Sequence, residues 1–173
     1  PRSTLFPYTT LFRSHLTPHA GVQTDWLRRA LEGHSDRPLC LVAYHVPLFP
    51  GFRLPSGAMP SAGREFWQPL FEQYNITAAL EHHDHIFKRT VLIRGDEETE
   101  DGILYLGDGA FGRPTKPVEG PRQVHLGRRW YLHKLESRGH FWRVDVDAAG
   151  ASATFTALDE EGIEFDQVTR LAR

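Results

Sequence analysis

The chain has 173 residues, a length typical of one domain with a sizeable core. Its 20 Lys and Arg against 22 Asp and Glu give a net charge of -2, so charge indicates neither a nucleic acid nor a membrane surface as a partner. The single cysteine, Cys40, excludes an internal disulfide and a CxxC motif, and no run reaches the roughly 20 apolar residues of a membrane span. Ten histidines beside one cysteine indicate imidazole and carboxylate ligands for any bound metal.

The first residues do not look like natural protein. Residues 4–14, TLFPYTTLFRS, are identical to the in-frame translation of a common short-read sequencing adapter. A match of this length is far too long to arise by chance. We therefore expect residues 1–14 to derive from the adapter, and residues 15–173 to be a partial domain whose upstream half is missing.

From residue 15 onward, helix and strand signals alternate. In QTDWLRRALEG, residues 23–33, apolar side chains recur at helical spacing before Gly33, which predicts a helix that ends there. The run LCLVAY, residues 39–44, is continuously apolar and predicts a strand buried on both faces. His45 follows this strand directly.

A second helix and a second strand come next. A loop rich in Pro, Gly and Ser is predicted for residues 47–63. In the following segment, REFWQPLFEQYN, the large apolar residues share one helical face: Phe66, Trp67, Leu70, Phe71 and Tyr74. We predict one helix there, packed into the core and bent at Pro69. ITAALE, residues 76–81, predicts a short strand that ends at a histidine cluster.

The order of helix, strand and histidine thus occurs twice, which indicates an α/β sheet with functional residues at the carboxyl ends of its strands. The rest of the chain has the pattern of β-structure. GILYLGDGAFG predicts a strand and a glycine-rich turn, and residues 141–171 predict three alternating strands broken at DAAG and DEEG, a β-meander. The acidic run of residues 95–102 is typical of a solvated hairpin tip, since it lacks the spacing of a calcium loop.

The histidine cluster lies in EHHDHIFKRT, residues 81–90. His45, His83 and His85 differ from the other histidines because they follow two strands of the same predicted sheet. A His-x-His pair on a strand-end loop can direct one imidazole to each of two metal ions about 3.5–4 Å apart. Three imidazoles also suit a single zinc ion. Because a short histidine-rich tract is a weak pattern, spacing alone leaves both arrangements and a structural role open.

Four segments follow one another along the chain in this order: AYHVPLFP, WQPLFEQYNI, EHHDHIFKRT and GILYLGDGAFG. Together they resemble the C-terminal half of calcineurin-like metallophosphoesterases, and specifically proteins similar to purple acid phosphatases. The resemblance implies an α/β fold, the C-terminal half of a metallophosphoesterase β-sandwich flanked by helices and ending in an antiparallel β-meander. It matches His45 to an H-x-P ligand motif and His83 and His85 to a G-H-x-H motif, with His45 and His83 on one metal ion and His85 on the other.

The resemblance also implies an activity for the intact protein, hydrolysis of a phosphate ester with two metal ions such as Fe, Zn or Mn, and a secreted or periplasmic location. His82 stands where the motif has glycine, and either faces substrate or has a structural role. Asp84 is a candidate to orient an imidazole, or else a solvent-facing carboxylate. Lys88 and Arg89 are candidates to attract phosphate, although strand-edge cations are commonly solvated or paired.

Three upstream motifs of the resembled family, D-x-H, G-D-x-x-D and G-N-H-[DE], have no match in this sequence. We expect the carboxylate and amide ligands that they provide to lie in the missing upstream half, so that this chain alone is inactive. The alternative hypothesis is a non-catalytic domain of the same fold, either metal-binding or purely structural.

Overall fold

The protein is described here by a computed structural model covering residues 16–107, 109–119 and 129–172, with side chains from Ala20 onward. The predicted adapter-derived segment, residues 1–14, lies outside the described residues. The helices within these ranges are α1 (Leu16–Glu32), α2 (Ala58–Phe66) and α3 (Gln68–Gln73). The strands are β1 (Leu41–Ala43), β2 (Ala78–Leu80), β3 (Phe87–Arg94), β4 (Glu97–Glu98), β5 (Ile103–Gly107), β6 (Leu132–Glu136), β7 (Phe141–Val146), β8 (Ser152–Leu158) and β9 (Glu164–Leu171).

The first six strands form a mixed sheet in which β1, β2 and β5 are parallel neighbours. Leu80, the last residue of β2, lies opposite Ala43 of β1 and Leu106 of β5. β3 runs antiparallel to β5 and also pairs with β4 and β6. Because β1 and β2 are parallel and in register, the loops that follow them leave the same edge of the sheet.

The last three strands form the predicted antiparallel meander, in the order β7–β8–β9. The two turns contain Gly150 and Gly162, with φ of 68° and 79°. Such angles are accessible to glycine at little cost, and they explain why the strands break at DAAG and DEEG. This sheet packs on the mixed sheet through a shared apolar cluster, with Leu104 and Leu106 on one side and Ala153 and Phe155 on the other.

Helices cover the opposite face of the mixed sheet. Leu70 and Phe71 of α3 join a buried cluster with Ile93 and Tyr105 of the sheet. The predicted apolar face of the second helical segment is confirmed for Trp67, Leu70, Phe71 and Tyr74, which belong to or pack against this cluster, but not for Phe66, which is 36 % exposed. Tyr44 packs against both Trp67 and Phe71 with ring centroids 5.6 and 5.8 Å apart. The fold is therefore a helical layer, a mixed sheet and a three-stranded antiparallel sheet. No described helix has the length and apolar character needed to cross a membrane.

Two sequence expectations about local structure were wrong. β1 is not buried on both faces, because it is the edge strand of the mixed sheet and Leu41 is 38 % exposed. The segment predicted as one helix is two, and α2 begins at Ala58, inside the predicted loop. The helices separate at Trp67 because Pro69, in the first turn of α3, has no N–H to donate to the preceding turn.

Candidate functional site

Two of the predicted metal ligands face each other at the carboxyl edge of the parallel strands. His45 follows β1 and His83 follows β2, and the His82 amide donates a hydrogen bond to the His45 carbonyl at 3.1 Å. The Nδ1 atom of His83 lies 3.0 Å from the Nε2 atom of His45, with the ring centroids 4.9 Å apart. The two loops thus bring these imidazoles together although the residues are far apart in the sequence.

A spacing of this size between ring nitrogens suits a shared cation. Around a tetrahedral ion with Zn–N bonds of about 2.0–2.1 Å, two nitrogens lie about 3.3 Å apart. The observed 3.0 Å between His83 and His45 is close to that value. The same contact also fits a hydrogen bond between two neutral imidazoles, in which one ring donates and the other accepts. The distance is therefore compatible with two ligands of one metal ion, and it is equally compatible with a hydrogen bond when no metal is bound.

His85 does not join the pair in a recognisable metal site. Across the part of the chain that the structure describes, no group of three or more His, Cys, Asp or Glu side chains converges as a metal site would require. The backbone carbonyl of His85 accepts a hydrogen bond from the Lys116 amide at 2.9 Å. The expectation that His85 binds a second metal ion therefore stays a prediction.

The histidine loop has an unusual backbone. His83 and His85 have φ of 84° and 56°, in the left-handed region that residues with a side chain seldom adopt. His82, which replaces the glycine of the resembled motif, is not among the positive-φ residues. The backbone at position 82 therefore does not need the conformational freedom of glycine. Gly109, with φ of 75°, packs against this loop, and a Cβ atom there would lie 3.3 Å from the His83 amide nitrogen.

Asp84 holds a neighbouring loop in place. Its buried side chain accepts hydrogen bonds at Oδ2 from the amides of Phe52, at 2.8 Å, and Arg53, at 3.4 Å. The Arg53 Nε atom lies 3.4 Å from Oδ1, which accepts no hydrogen bond from the described residues. Asp84 is therefore not solvent-facing. Its side chain contacts the 52–53 loop, and its role in orienting an imidazole stays a prediction.

Lys88 and Glu81 form a buried ion pair behind the site. The Lys88 ammonium contacts the Glu81 carboxylate and donates to the Phe49 carbonyl at 2.6 Å. Oε1 of Glu81 accepts hydrogen bonds from the Tyr44 hydroxyl and the Leu48 amide, both at 2.6 Å. Lys88 is thus enclosed and paired rather than placed to attract a substrate. Glu81 was given no role from the sequence alone. A carboxylate directly after an apolar strand is nevertheless a pattern that indicates a buried, paired acidic residue at the strand end.

Arg89 connects the two sheets. Its Nε atom donates to Oδ2 of Asp166 at 2.7 Å, and a second guanidinium nitrogen donates to Oδ1 at 3.1 Å. This two-point contact joins β3 to β9. Neither Lys88 nor Arg89 therefore has the free, outward position that phosphate attraction requires. Both cations are paired with carboxylates, as strand-edge cations commonly are.

The environment favours neutral imidazoles in the cluster. Burial, followed by the charges of Arg53 and His45, lowers the pKa of His83 to about 4, although the Asp84 carboxylate opposes the shift. Burial is also the main reason why the pKa of His82 is lowered. A metal ion binds the neutral form of imidazole, so the lowered pKa of His83 favours metal binding at neutral pH.

The pKa of His85 is also lowered, first by burial and then by the positive charges of Arg113, Lys116 and Arg53. Sequence reasoning gave these three cations no role. They stand far from the histidines in the sequence, so only the tertiary structure shows that they act on the same loop.

Comparisons with known proteins support the fold. The sequence matches no protein-family model and no curated protein. The structure resembles the purple acid phosphatase PPD1 from yellow lupin (Lupinus luteus) seeds with a TM-score of 0.67 and 18% sequence identity, covering 85% of this chain and 28% of that chain. It also resembles GAP50, the anchor in the inner membrane complex of Plasmodium, with a TM-score of 0.65 and 10% identity, covering 87% of this chain and 42% of that chain.

The chain therefore has part of a metallophosphoesterase fold, as the resemblance of its motifs predicted. It spans 28% and 42% of the lengths of these two structures. At such low identities the likeness concerns the fold alone. One of the two proteins is named as a phosphatase and the other as an anchor, so this fold does not by itself decide between catalysis and a structural role.

Proposed function

We propose that this chain is part of a metal-dependent phosphoesterase, in which His45 and His83 bind one metal ion together. The observation that carries the proposal is the distance of 3.0 Å between His83 Nδ1 and His45 Nε2 at the carboxyl ends of two parallel strands. The lowered pKa of His83 and the partial metallophosphoesterase fold support it. Functional residues at this edge of a parallel sheet are also usual.

His85 belongs to the same proposal as a ligand of a second ion, with Fe, Zn or Mn as the candidate metals. Its position two residues beyond His83 and its lowered pKa favour this role. When bound, two such ions would make water more acidic and neutralise charge on a phosphoryl group. His82, half-buried beside the pair, would contact the phosphate ester substrate as a hydrogen-bond donor or acceptor.

Residues 15–173 would then be the C-terminal part of a larger domain. The share of the two matched structures that this chain covers supports this interpretation. The remaining ligands, including the carboxylates needed to balance the metal charge, would come from the other part. We therefore expect the chain alone to lack phosphatase activity. The secreted or periplasmic location implied by the resemblance belongs to the same proposal.

The alternative is a non-catalytic domain of the same fold. It is favoured by one specific observation, the absence of a three-residue metal cluster from the described ranges. The likeness to GAP50, named as an anchor, is compatible with this alternative. In that case the contact between His45 and His83 would be a hydrogen bond that joins two loops.

The test is to recover the complete gene from the source DNA and to assay its product for metal-dependent phosphatase activity. We expect activity that a chelator abolishes, and that His45→Asn or His83→Asn reduces strongly. His34→Asn is the matched control, because the His34 side chain is exposed and lies 2.8 Å from the Ala30 carbonyl at the end of α1. A complete product without activity, or with activity that both variants retain, would support the non-catalytic alternative.

A further inference from the structure

Two ring nitrogens at the start of the meander contact the end of β5. The Nε2 atom of His140 lies 2.7 Å from the Gly107 carbonyl oxygen, and the Nε1 atom of Trp142 donates to the same oxygen at 3.1 Å. Gly107 is the last residue of β5, and the two rings come from the first strand of the meander and the residue before it. A carbonyl oxygen has two lone pairs, so it can accept both bonds. This carbonyl thus joins the meander to the end of β5.

The end of β5 supports the histidine loop. The Leu106 carbonyl accepts a hydrogen bond at 2.8 Å from the amide of Glu81, the residue that precedes the histidine cluster. Two residues beyond Gly107, a Cβ atom on Gly109 would lie 3.3 Å from the His83 amide nitrogen. The position of the His83 backbone therefore depends on where β5 ends.

Packing also confines the end of β5. A Cβ atom on Gly107 would lie 2.8 and 2.9 Å from carbons of the Lys88 side chain, so no side chain fits there and the strand lies directly on the lysine stem. Lys88 is itself fixed by its ion pair with Glu81. The strand end is thus held by packing against Lys88 and by the hydrogen bonds at its carbonyl.

The environment of His140 determines which ring nitrogen donates. The residue is 3 % exposed, and its Nδ1 atom lies 3.2 Å from the Arg138 carbonyl oxygen while Nε2 faces Gly107 at 2.7 Å. Burial lowers the pKa of His140, although both carbonyls and the Glu136 charge oppose the shift, so the neutral ring is favoured. A neutral imidazole has one N–H, and the shorter distance places it on Nε2.

We propose that His140 is a positioning residue for the proposed metal site: as its Nε2–H tautomer it fixes the end of β5, and thereby the loop on which His83 meets His45. The inference rests on the proposed function for the identity of the bound ion. The positioning itself exists without metal and can be measured separately.

The variants must separate the hydrogen bond from the apolar contacts of the ring, which packs against Phe87 with centroids 5.2 Å apart. His140→Phe keeps an aromatic ring but has no donor for the Gly107 carbonyl, whereas the amide nitrogen of His140→Gln can replace Nε2 as donor. Phe155→Leu is the matched control, because it weakens the apolar packing between the sheets and leaves both donors to Gly107 in place. Urea denaturation measures the stability that each variant loses.

NMR spectra of the 173-residue chain with a chelator present give the metal-free readout. Long-range ¹H–¹⁵N spectra of the unmodified chain should show His140 protonated at Nε2, a measurement that needs no substitution. We expect His140→Phe to shift the amide signals of His83 and Gly109 more than Phe155→Leu does, and His140→Gln to restore them. A bare Nε2 atom, or equal shifts in His140→Phe and the control, would overturn the proposal.

Zinc titration of the same proteins measures the effect on the site. We expect His140→Phe to weaken zinc binding by about tenfold, His140→Gln to recover most of the affinity, and Phe155→Leu to bind zinc like the unmodified chain. Equal zinc affinity in His140→Phe and the unmodified chain would overturn the positioning role. If the unmodified chain binds no zinc, the proposed function fails, and the NMR comparison alone decides whether His140 positions the loop.

Discussion

Lys88 and Glu81 form a fully buried ion pair that joins the start of β3 to the end of β2. The same carboxylate accepts the Leu48 amide, and the same ammonium donates to the Phe49 carbonyl. Both groups therefore fix the segment that follows His45. The pair thus helps to hold the loop that carries the exposed His45 beside the loop that carries His83.

Replacing Lys88 should strongly destabilise the fold. Lys88→Met leaves the Glu81 carboxylate buried without its counter-charge, and we expect a loss of about 3–5 kcal/mol of unfolding free energy. Urea denaturation measures this loss. The double variant Lys88→Met with Glu81→Gln removes the buried charge and should lose less than the single variant. A single variant that loses less than about 1 kcal/mol would show that the pair is not an important part of the structure.

Gly109 and Gly112 offer a matched pair of substitutions. Both have positive φ, 75° and 65°, so alanine at either position should cost about 1–2 kcal/mol of stability. Only at Gly109 would the new Cβ press on the histidine loop, 3.3 Å from the His83 amide nitrogen, whereas nothing lies within 4 Å at Gly112. We therefore expect Gly109→Ala to weaken zinc binding as well, and Gly112→Ala to leave it unchanged. Equal zinc affinities in the two variants would contradict this role of Gly109.

The stability of the metal-free chain should depend on pH through His83. Its pKa in the folded state is about 4, below the usual 6.5, so below pH 6.5 the unfolded chain takes up a proton that the folded chain does not. The stability contributed by neutral His83 is present above pH 6.5 and is lost as the pH falls towards about 4. Denaturant titrations with a chelator present should show this loss. It should be smaller in His83→Asn, while the control His34→Asn should follow the unmodified chain.

The exposed edge at β1 should promote self-association. Among the described strands, β1 pairs only with β2, and Leu41 is 38 % exposed on it. An open strand edge with apolar side chains is a template for pairing with another chain. Sedimentation velocity should show a larger species at high concentration, and Leu41→Lys should reduce it. Leu54→Lys, at an exposed loop position, is the control. A monomer at all concentrations would contradict this expectation.

The sequence predicted the parts of the fold whose periodicity is strong. The meander was confirmed because its strands alternate and its turns contain glycine. The β5 strand was confirmed because it is a continuous apolar run, as expected for a strand buried on both faces. β3, with the sequence FKRTVLIR, was not recognised as a strand because Lys88 and Arg89 interrupt its apolar pattern. Both charges are balanced by carboxylates outside β3, Glu81 for Lys88 and the distant Asp166 for Arg89, and the pattern of the strand itself does not show these pairings.

For the site, the order of the motifs placed His45 and His83 correctly at neighbouring strand ends, because parallel strands bring their carboxyl ends together. It could not show that the Asp84 side chain bonds the amides of the 52–53 loop, or that Lys116 lies beside His85. Those contacts depend on how long loops return to the sheet. Loop paths of this kind are set by tertiary packing rather than by local sequence.

The most direct test of the central claim is a zinc titration of the chain and of His45→Asn, His83→Asn and the double variant at neutral pH. If the two imidazoles bind one ion, either single substitution should remove most of the affinity, and the second should remove little more. Equal zinc affinity in all four proteins, or independent and additive losses from the two substitutions, would contradict a shared metal ion and leave the contact at 3.0 Å as a hydrogen bond between loops.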